Sequence, residues 1–421
     1  MKLVKVTVSN GIATAVKILA ALIINKIIAV NVGPQGFSII GQFQNMISIA
    51  LNLSGGIVSP GIIKETAENQ NDQDKQYKIW RSGFYISIIF SFITSILILL
   101  FKNKLIELLN LNSEYELSNI FYILAICIPF GAINTIILSI VNGKKEIYIY
   151  VVIIVSGSLI NLITIGAGVY LLGLYGALVG LAVAQVGCVL AGYFIAQKKK
   201  IIKLKKIIGQ FDVISTKNLI GYGVMGLTSA LCVPITSILI RSEITEKLGE
   251  TSAGYWQAIT KISDIYLMMI IMTLSVYYLP KIAETKNKKE LKNEIKRVNT
   301  LLIPLTIAGS IIIYLLRDQI LGILFSKEFL PANKLLMWQL IGDVIKISSW
   351  ILSYIMVGKY MMRLFIFSEI LFSIIYYIII ILCINIYGLI GAPIAFIINY
   401  ILYYIFIKIA LEITYFNSKL I

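Results

Sequence analysis

The sequence predicts an all-α membrane protein, with about twelve transmembrane helices in two six-helix bundles related by a pseudo-two-fold axis along the membrane normal. Three observations carry this expectation. The 421 residues are 58% hydrophobic and only 14% charged, with a mean hydropathy of +0.88, whereas soluble domains carry roughly a quarter charged residues. Apolar segments of about 20 residues, long enough to cross the hydrocarbon core, recur along the whole chain. The second half of the chain also repeats the pattern of the first.

The first six spans fall at 8–31, 36–58, 80–101, 118–141, 148–172 and 174–196. The second six fall at 218–241, 252–280, 298–316, 334–357, 364–385 and 388–410. The first is too long and continuous for a cleaved signal peptide, so it reads as a retained span. No loop exceeds roughly 20 residues, too few for a separate soluble domain. Lys and Arg set the orientation. With both termini in the cytoplasm, the inner side collects "KETAENQNDQDKQYK", "NGKKE", "QKKKIIKLKK", "KIAETKNKKELKNEIKR" and "GKYMMR". Roughly 26 bases then lie inside against about 7 outside, as the positive-inside rule requires.

The net charge of +16 therefore serves topology and contact with anionic lipid heads. Acidic residues interleave the longer inner loops and no base-stacking aromatic platform accompanies them, so no nucleic-acid partner is expected. The run "QKKKIIKLKKIIGQF" suits an amphipathic helix on the inner leaflet, or a plain solvated stop-transfer segment. Cys127, Cys188, Cys232 and Cys383 are isolated within apolar spans, and the chain has no histidine. Metal-ligand spacing is missing and His-based proton relays are excluded. No catalytic residue, metal or cofactor is expected, and whatever titrates within the membrane is a carboxylate or a lysine.

The repeat shows when the chain is laid on itself. "LNSEYELSNIFYILAICIPFGAINTIILSIVNGK" (111–144) resembles "SKEFLPANKLLMWQLIGDVIKISSWILSYIMVGK" (326–359): an acidic outer loop, an apolar span, then Gly-Lys. Tyr175-Gly176 and Tyr387-Gly388 open the sixth and twelfth spans, and Gly36 and Gly254 open the second and eighth. Such a period of half the chain marks transporters built from duplicated bundles. Six spans per half is an even number, so both halves start on the same side, giving an N-terminal bundle with its basic linker at 1–208 and a C-terminal bundle at 209–421. Pro129, Pro234, Pro304 and Pro393 fall within spans, where each removes a helical hydrogen bond and suits a kink.

Ionisable residues inside the membrane are few: Lys17, Lys26, Lys261, Asp264, Asp343, Lys346 and Glu369. Each costs a few kcal/mol at bilayer depth, about 3 by insertion scales, so each should face a polar interior or a partner. Residues three apart share a helix face, so Lys261–Asp264 and Asp343–Lys346 each present an acid and a base together. One reading makes them self-satisfied pairs that hold the bundle. Yet the matching positions of the first half are Phe43 and Met46, and Ile128 and Gly131, so the architecture does not require the charges. Lys17 lies mid-span, whereas Lys26 and its approximate repeat partner Arg241 lie nearer helix ends and can snorkel. Glu369 pairs with a base or binds a proton. A base-rich cleft suits an anionic substrate, phosphate above all, which a lysine binds as a point charge. Tyr255, Trp256, Tyr266, Trp338 and Trp350 suit sugar stacking, or an interfacial aromatic belt.

"GYWQAITKISDIYLMMIIMTLSVYYLPKIAE", "LLRDQILGILFSKEF" and "MWQLIGDVIKI", with "GPQGF" and "AVKILAALIINKIIAV" in support, resemble the Wzx-type polysaccharide-unit flippases, a family that includes O-antigen translocases and enterobacterial common antigen lipid III flippases. The resemblance implies the multidrug/oligosaccharidyl-lipid/polysaccharide exporter fold. It also implies transport, across the bacterial inner membrane, of oligosaccharide units of lipopolysaccharide O-antigen or common antigen type on undecaprenyl pyrophosphate, by a cation-linked cycle using protons or sodium. A polysaccharide polymerase and a chain-length regulator are candidate partners. By analogy with peptidoglycan-precursor flippases, Lys17, Lys26 and Lys261, joined by Lys346, are expected to bind pyrophosphate and sugar. Asp264, Asp343 and Glu369 are expected to handle coupling or charge balance. Lysines in place of arginines lose bidentate phosphate recognition. A drug or organic-cation antiporter of the same fold is the alternative. A membrane polymerase or ligase needs a substantial outer loop, which the sequence lacks.

Overall fold

A chain whose spans hydrogen-bond internally leaves few backbone groups to satisfy in lipid, and this constraint selects helices. The computed structural model describes residues 2–108, 118–201, 213–285 and 287–416. Among the described residues there is no strand, and the protein is an all-α, multi-pass membrane protein. It comprises two compact units, Met1–Ile235 and Thr236–Ile421. The expected boundary at 208/209 and the basic run from Ile202 onward lie outside the described residues.

Among the described residues the first unit contains α1 (Lys2–Leu51), α2 (Ser59–Glu68), α3 (Gln73–Leu100), α4 (Lys102–Leu108), α5 (Ile120–Gly143) and α6 (Ile147–Lys198). Helix α7 (Val213–Leu248) runs from the first unit into the second. The second unit continues with α8 (Glu250–Thr273), α9 (Leu279–Glu284), α10 (Lys288–Leu315), α11 (Arg317–Leu324), α12 (Asn333–Gly358), α13 (Met362–Tyr387) and α14 (Gly391–Leu411).

Among the described residues eight apolar helical stretches are long enough to cross a membrane, fewer than the expected spans for two physical reasons. Three stretches each carry two spans joined at a tight bend rather than a loop: Gly33 before Pro34 in α1, Leu172-Gly173 in α6, and Gly388 between α13 and α14. Helix α8, which holds Lys261 and Asp264, is not among the eight apolar stretches.

The duplication is written in the backbone. Left-handed residues recur at Gly33 and Gly249, Lys145 and Tyr360, and Gly173 and Gly388, each pair 215 or 216 residues apart. Helix N-caps follow the same spacing: Asp72 accepts from the Lys75 amide at 2.9 Å, and Asn287 accepts from the Lys289 amide at 2.8 Å. These caps satisfy amides that helix starts leave without partners. At the bend of α6 the two arms touch backbone to backbone: a Cβ on Gly168 would lie 2.1 Å from the Gly176 carbonyl oxygen. The equivalent arms of the second unit meet in the same way, a Cβ on Gly391 falling 2.2 Å from the Cys383 carbonyl oxygen.

The C-terminal ends of α5 and α12 carry the matched lysines Lys144 and Lys359. Lys144 sits 5.0 Å from the ring of Trp80, whose indole donates to Thr66 Oγ1 at 2.9 Å. Lys359 donates to the Thr285 carbonyl. Burial holds both ammoniums below the ordinary lysine range, with Glu146 partly opposing the effect at Lys144.

Candidate functional site

A carboxylate with no exposed surface needs donors, because water cannot solvate it. Asp343 on α12 is 0% exposed and accepts three hydrogen bonds. Ser263 Oγ donates at 2.6 Å and Tyr266 OH at 2.9 Å, both from α8, and Gln339 Nε2 donates at 3.3 Å from one turn earlier on α12. Ser263 and Tyr266 are three apart and so share one face of α8. Tyr266 OH also lies 3.3 Å from Ser310 Oγ on α10, so three helices converge on this acid.

Lys346, three residues on, does not close an ion pair with Asp343. Its ammonium lies 4.8 Å from the ring centre of Trp350, 5.7 Å from Phe396 and 6.0 Å from Tyr400. Ring faces attract a cation without neutralising it. The Lys346 charge is therefore held half-buried within electrostatic range of Asp343. At the repeat-equivalent position the first unit has Gly131, where a Cβ would fall 2.4 Å from Leu51 Cδ2. The first unit is packed shut where the second holds a lysine.

Glu369 on α13 accepts from Tyr403 OH at 2.9 Å, and Tyr403 lies 3.3 Å from Ser353 Oγ. Gln339, Asp343, Lys346, Trp350 and Ser353 recur at alternating spacings of four and three residues, one stripe of α12. The stripe rises about 21 Å, some two thirds of a hydrocarbon core. Tyr400 on α14 is the meeting point: Glu369, Asp343 and Asp264 all act on its hydroxyl electrostatically, and Trp350 hydrogen-bonds to it. The three acids singled out in the sequence are thus brought together around a tyrosine that sequence reasoning missed. An aromatic residue in an apolar run gave no signal; its placement needed the pairing of α12 with α14.

Lys261 is half-buried and Asp264 exposed on α8, and they too form no direct ion pair. Lys261 instead feels both Asp264 and Arg241. Among the described residues the ion pairs within 4 Å are Lys64–Glu68, Lys247–Glu243 and Lys292–Glu412, so neither membrane-depth acid–base pair is self-satisfied by direct contact. Arg241, read from sequence as a base at a helix end, is 2% exposed: it stacks 5.4 Å from the Trp256 ring and donates to Gln257 Oε1. Aromatic residues offered for stacking also have structural occupations. Trp256 carries Arg241, Tyr266 serves Asp343, Trp350 faces Lys346, and Tyr255 packs edge-on to Phe329 at 6.3 Å, while Trp338 is exposed.

Lys17 and Lys26 belong to the first unit. Nine residues of α-helix turn through two and a half revolutions, placing them on opposite faces of α1. Lys17 is exposed on the face that buries Ala20, Ile24 and Ile28, and Lys26 is half-buried on the face that exposes Leu19, Ile23 and Val30. No group of three or more metal-ligating side chains occurs among the described residues.

Comparison with known proteins extends these observations. The family model described as "Polysaccharide biosynthesis protein" matches residues 3–286. The lipid III flippase of Escherichia coli (strain K12) is 25% identical over 405 residues, 96% of this chain and 97% of that protein. Among solved structures, an inward-facing multidrug resistance MATE family transporter of the MOP superfamily superimposes with a TM-score of 0.80 at 16% identity, covering 96% of each chain. The lipid II flippase MurJ in an inward closed conformation gives a TM-score of 0.75 at 15% identity, covering 97% of this chain and 87% of that one. The two structures establish a shared fold.

Proposed function

The chain belongs to the polysaccharide biosynthesis protein family, and from that premise we propose that it is a flippase for lipid-linked oligosaccharides. Its substrate is an oligosaccharide repeat unit of O-antigen or enterobacterial common antigen type on undecaprenyl pyrophosphate. The unit moves from the cytoplasmic to the periplasmic leaflet of the bacterial inner membrane by alternating access. The observation that carries this reading is end-to-end similarity to a lipid III flippase, in a chain that keeps several lysines at membrane depth. Both termini are assigned to the cytoplasm, with a polymerase and a chain-length regulator as working partners.

In this reading Lys17, Lys26, Lys261 and Lys346 attract the pyrophosphate and sugars while the polyprenyl tail stays in lipid. Proton or sodium binding at Asp264, Asp343 or Glu369 shifts the charge balance, and it biases the cycle only through different affinity for the two conformations. Deletion of the gene, followed by identification of the lipid-linked sugar left on the cytoplasmic leaflet, tests the reading. Complementation by Lys261→Ala or Lys26→Ala should fail although the protein reaches the membrane. Normal surface polysaccharide in both variants would remove the phosphate-capture role.

The likeness to a MATE family transporter favours a second reading, export of drugs or organic cations. Dye efflux and resistance that depend on this chain would support it. The lysines at membrane depth argue for an anion instead.

A further inference from the structure

The polar stripe of α12 holds a feature that transport of an anion alone does not require: an acid and a base one turn apart, each in contact with neutral groups and coupled to the other through space without a direct ion pair. We propose that Lys346 is shared between the carboxylates inside the second unit and a phosphate headgroup, so that substrate binding and protonation of Asp343 are thermodynamically linked. The inference rests on the flippase reading above.

Four observations support it. Lys346 is half-buried, and its ring neighbours leave its positive charge available to an incoming anion. Asp343 is fully buried, receives only neutral donors, and has Lys346 as the cation acting on it. Gln339 Oε1 is buried with no partner although its own amide nitrogen reaches Asp343. A side-chain amide offers nitrogen to a carboxylate and, turned over, oxygen to a carboxylic acid, so Gln339 serves either protonation state. Finally, Tyr400 joins the fields of Asp343, Glu369 and Asp264, so a charge change at one acid is felt across the cluster.

The step balances simply. When a phosphate takes up the Lys346 ammonium, negative charge accumulates beside Asp343 in a medium of low dielectric constant, where it is expensive. One proton from the aqueous phase bonds to an Asp343 carboxylate oxygen, and it returns to water when the headgroup leaves. Conversely, a protonated Asp343 leaves Lys346 wholly to the phosphate. Linkage makes the two effects equal. The groups acting directly on this acid are Ser263 and Tyr266 from α8 and Gln339 and Lys346 on its own helix; one group further out, Ser310 from α10 meets Tyr266, Tyr400 from α14 feels Asp343 together with Glu369 and Asp264, Tyr403 donates to Glu369, and Lys261 feels Asp264.

Full-length protein in detergent, titrated calorimetrically with farnesyl pyrophosphate in buffers of different ionisation enthalpy, tests the proposal. Across about pH 8 to 5 the wild type should bind the probe more tightly as pH falls, by a factor of about 5–150, the usual span of coupling between sites, and should take up protons on binding. Asp343→Asn, a neutral mimic, should bind at all pH values as tightly as wild type does in acid, with the excess proton uptake gone. The titration of the pyrophosphate itself is common to every variant, so this difference isolates the carboxylate. Lys346→Gln should bind weakly at every pH and Lys346→Arg should restore the linkage. Unchanged pH dependence in Asp343→Asn, or unchanged affinity in Lys346→Gln, overturns the proposal. Probe binding without differential proton uptake removes the linkage and leaves the flippase reading standing. No probe binding, with failed complementation by the wild-type gene, removes both.

Discussion

Replacing Asp343 by Asn and by Leu separates what the acid does by charge from what it does by shape. Both substitutions delete the negative charge, so the cost of burying it cancels when the two are compared. In Asp343→Asn the side-chain oxygen still accepts from Ser263 and Tyr266, and the new amide nitrogen, which takes the place of the oxygen facing Gln339 Nε2, donates to Gln339 Oε1 once that amide turns over. In Asp343→Leu those buried donors lose their acceptor. Each orphaned donor costs about 1–3 kcal/mol. Tyr266 keeps a fallback in Ser310 and Ser263 can turn to its own helix, so the total comes to about 2–5 kcal/mol. Asp343→Asn should therefore melt close to wild type in fluorescence-detected size exclusion, with Asp343→Leu clearly below it. An Asp343→Leu protein that melts at or above Asp343→Asn would refute the hydrogen-bond account of this site.

Three further outcomes follow from the geometry. Arg241→Met should destabilise the second unit by about 2–4 kcal/mol, from a lost desolvated cation–π contact and an orphaned Gln257 acceptor; Arg241→Lys should rescue it poorly, because a planar guanidinium is what lies on the indole, and a wild-type melting temperature with lost transport would instead place Arg241 at the substrate. Gly168→Ala should prevent assembly of the α6 bend, since its Cβ has no room beside the Gly176 carbonyl, seen as loss of monodisperse protein; normal yield would contradict the close approach. Lys144 and Lys359 are depressed in the folded state, so the fold sheds those protons first and gains stability as pH rises through their folded values, a gain complete by the unfolded lysine value of about 10.4; thermal melts from neutral to alkaline pH should show a smaller rise in Lys144→Met than in wild type.

Much of the architecture was legible because bilayer thickness and the 1.5 Å rise leave few solutions for an apolar chain. The expected breaks between the first two spans and between the fifth and sixth appear as bends at Gly33 and Gly173, and the half-chain period recurs in caps and left-handed residues. The candidate site was legible in its membrane-depth acids and not in its partners. Ionisable residues announce themselves by cost, so Asp343, Asp264 and Glu369 stood out. Ser263, Tyr400 and Tyr403 cost nothing to place in an apolar helix, and only the packing of α8, α12, α13 and α14 gives them a role. Arg241 was misjudged as a base at a helix end because distance from a span's midpoint says nothing about which neighbour covers it. Trp256, the neighbour in question, lies beyond the turn at Gly249.

The matched bends have a consequence for how the protein responds to its surroundings. Both halves inherited the same joints, but among the described residues the first half has no carboxylate at membrane depth. Under the linkage proposed for Asp343 and Lys346, acidity therefore acts within the second half alone. On that proposal, transplanting the α12 stripe into the matching helix of the first half would carry the response to pH with it.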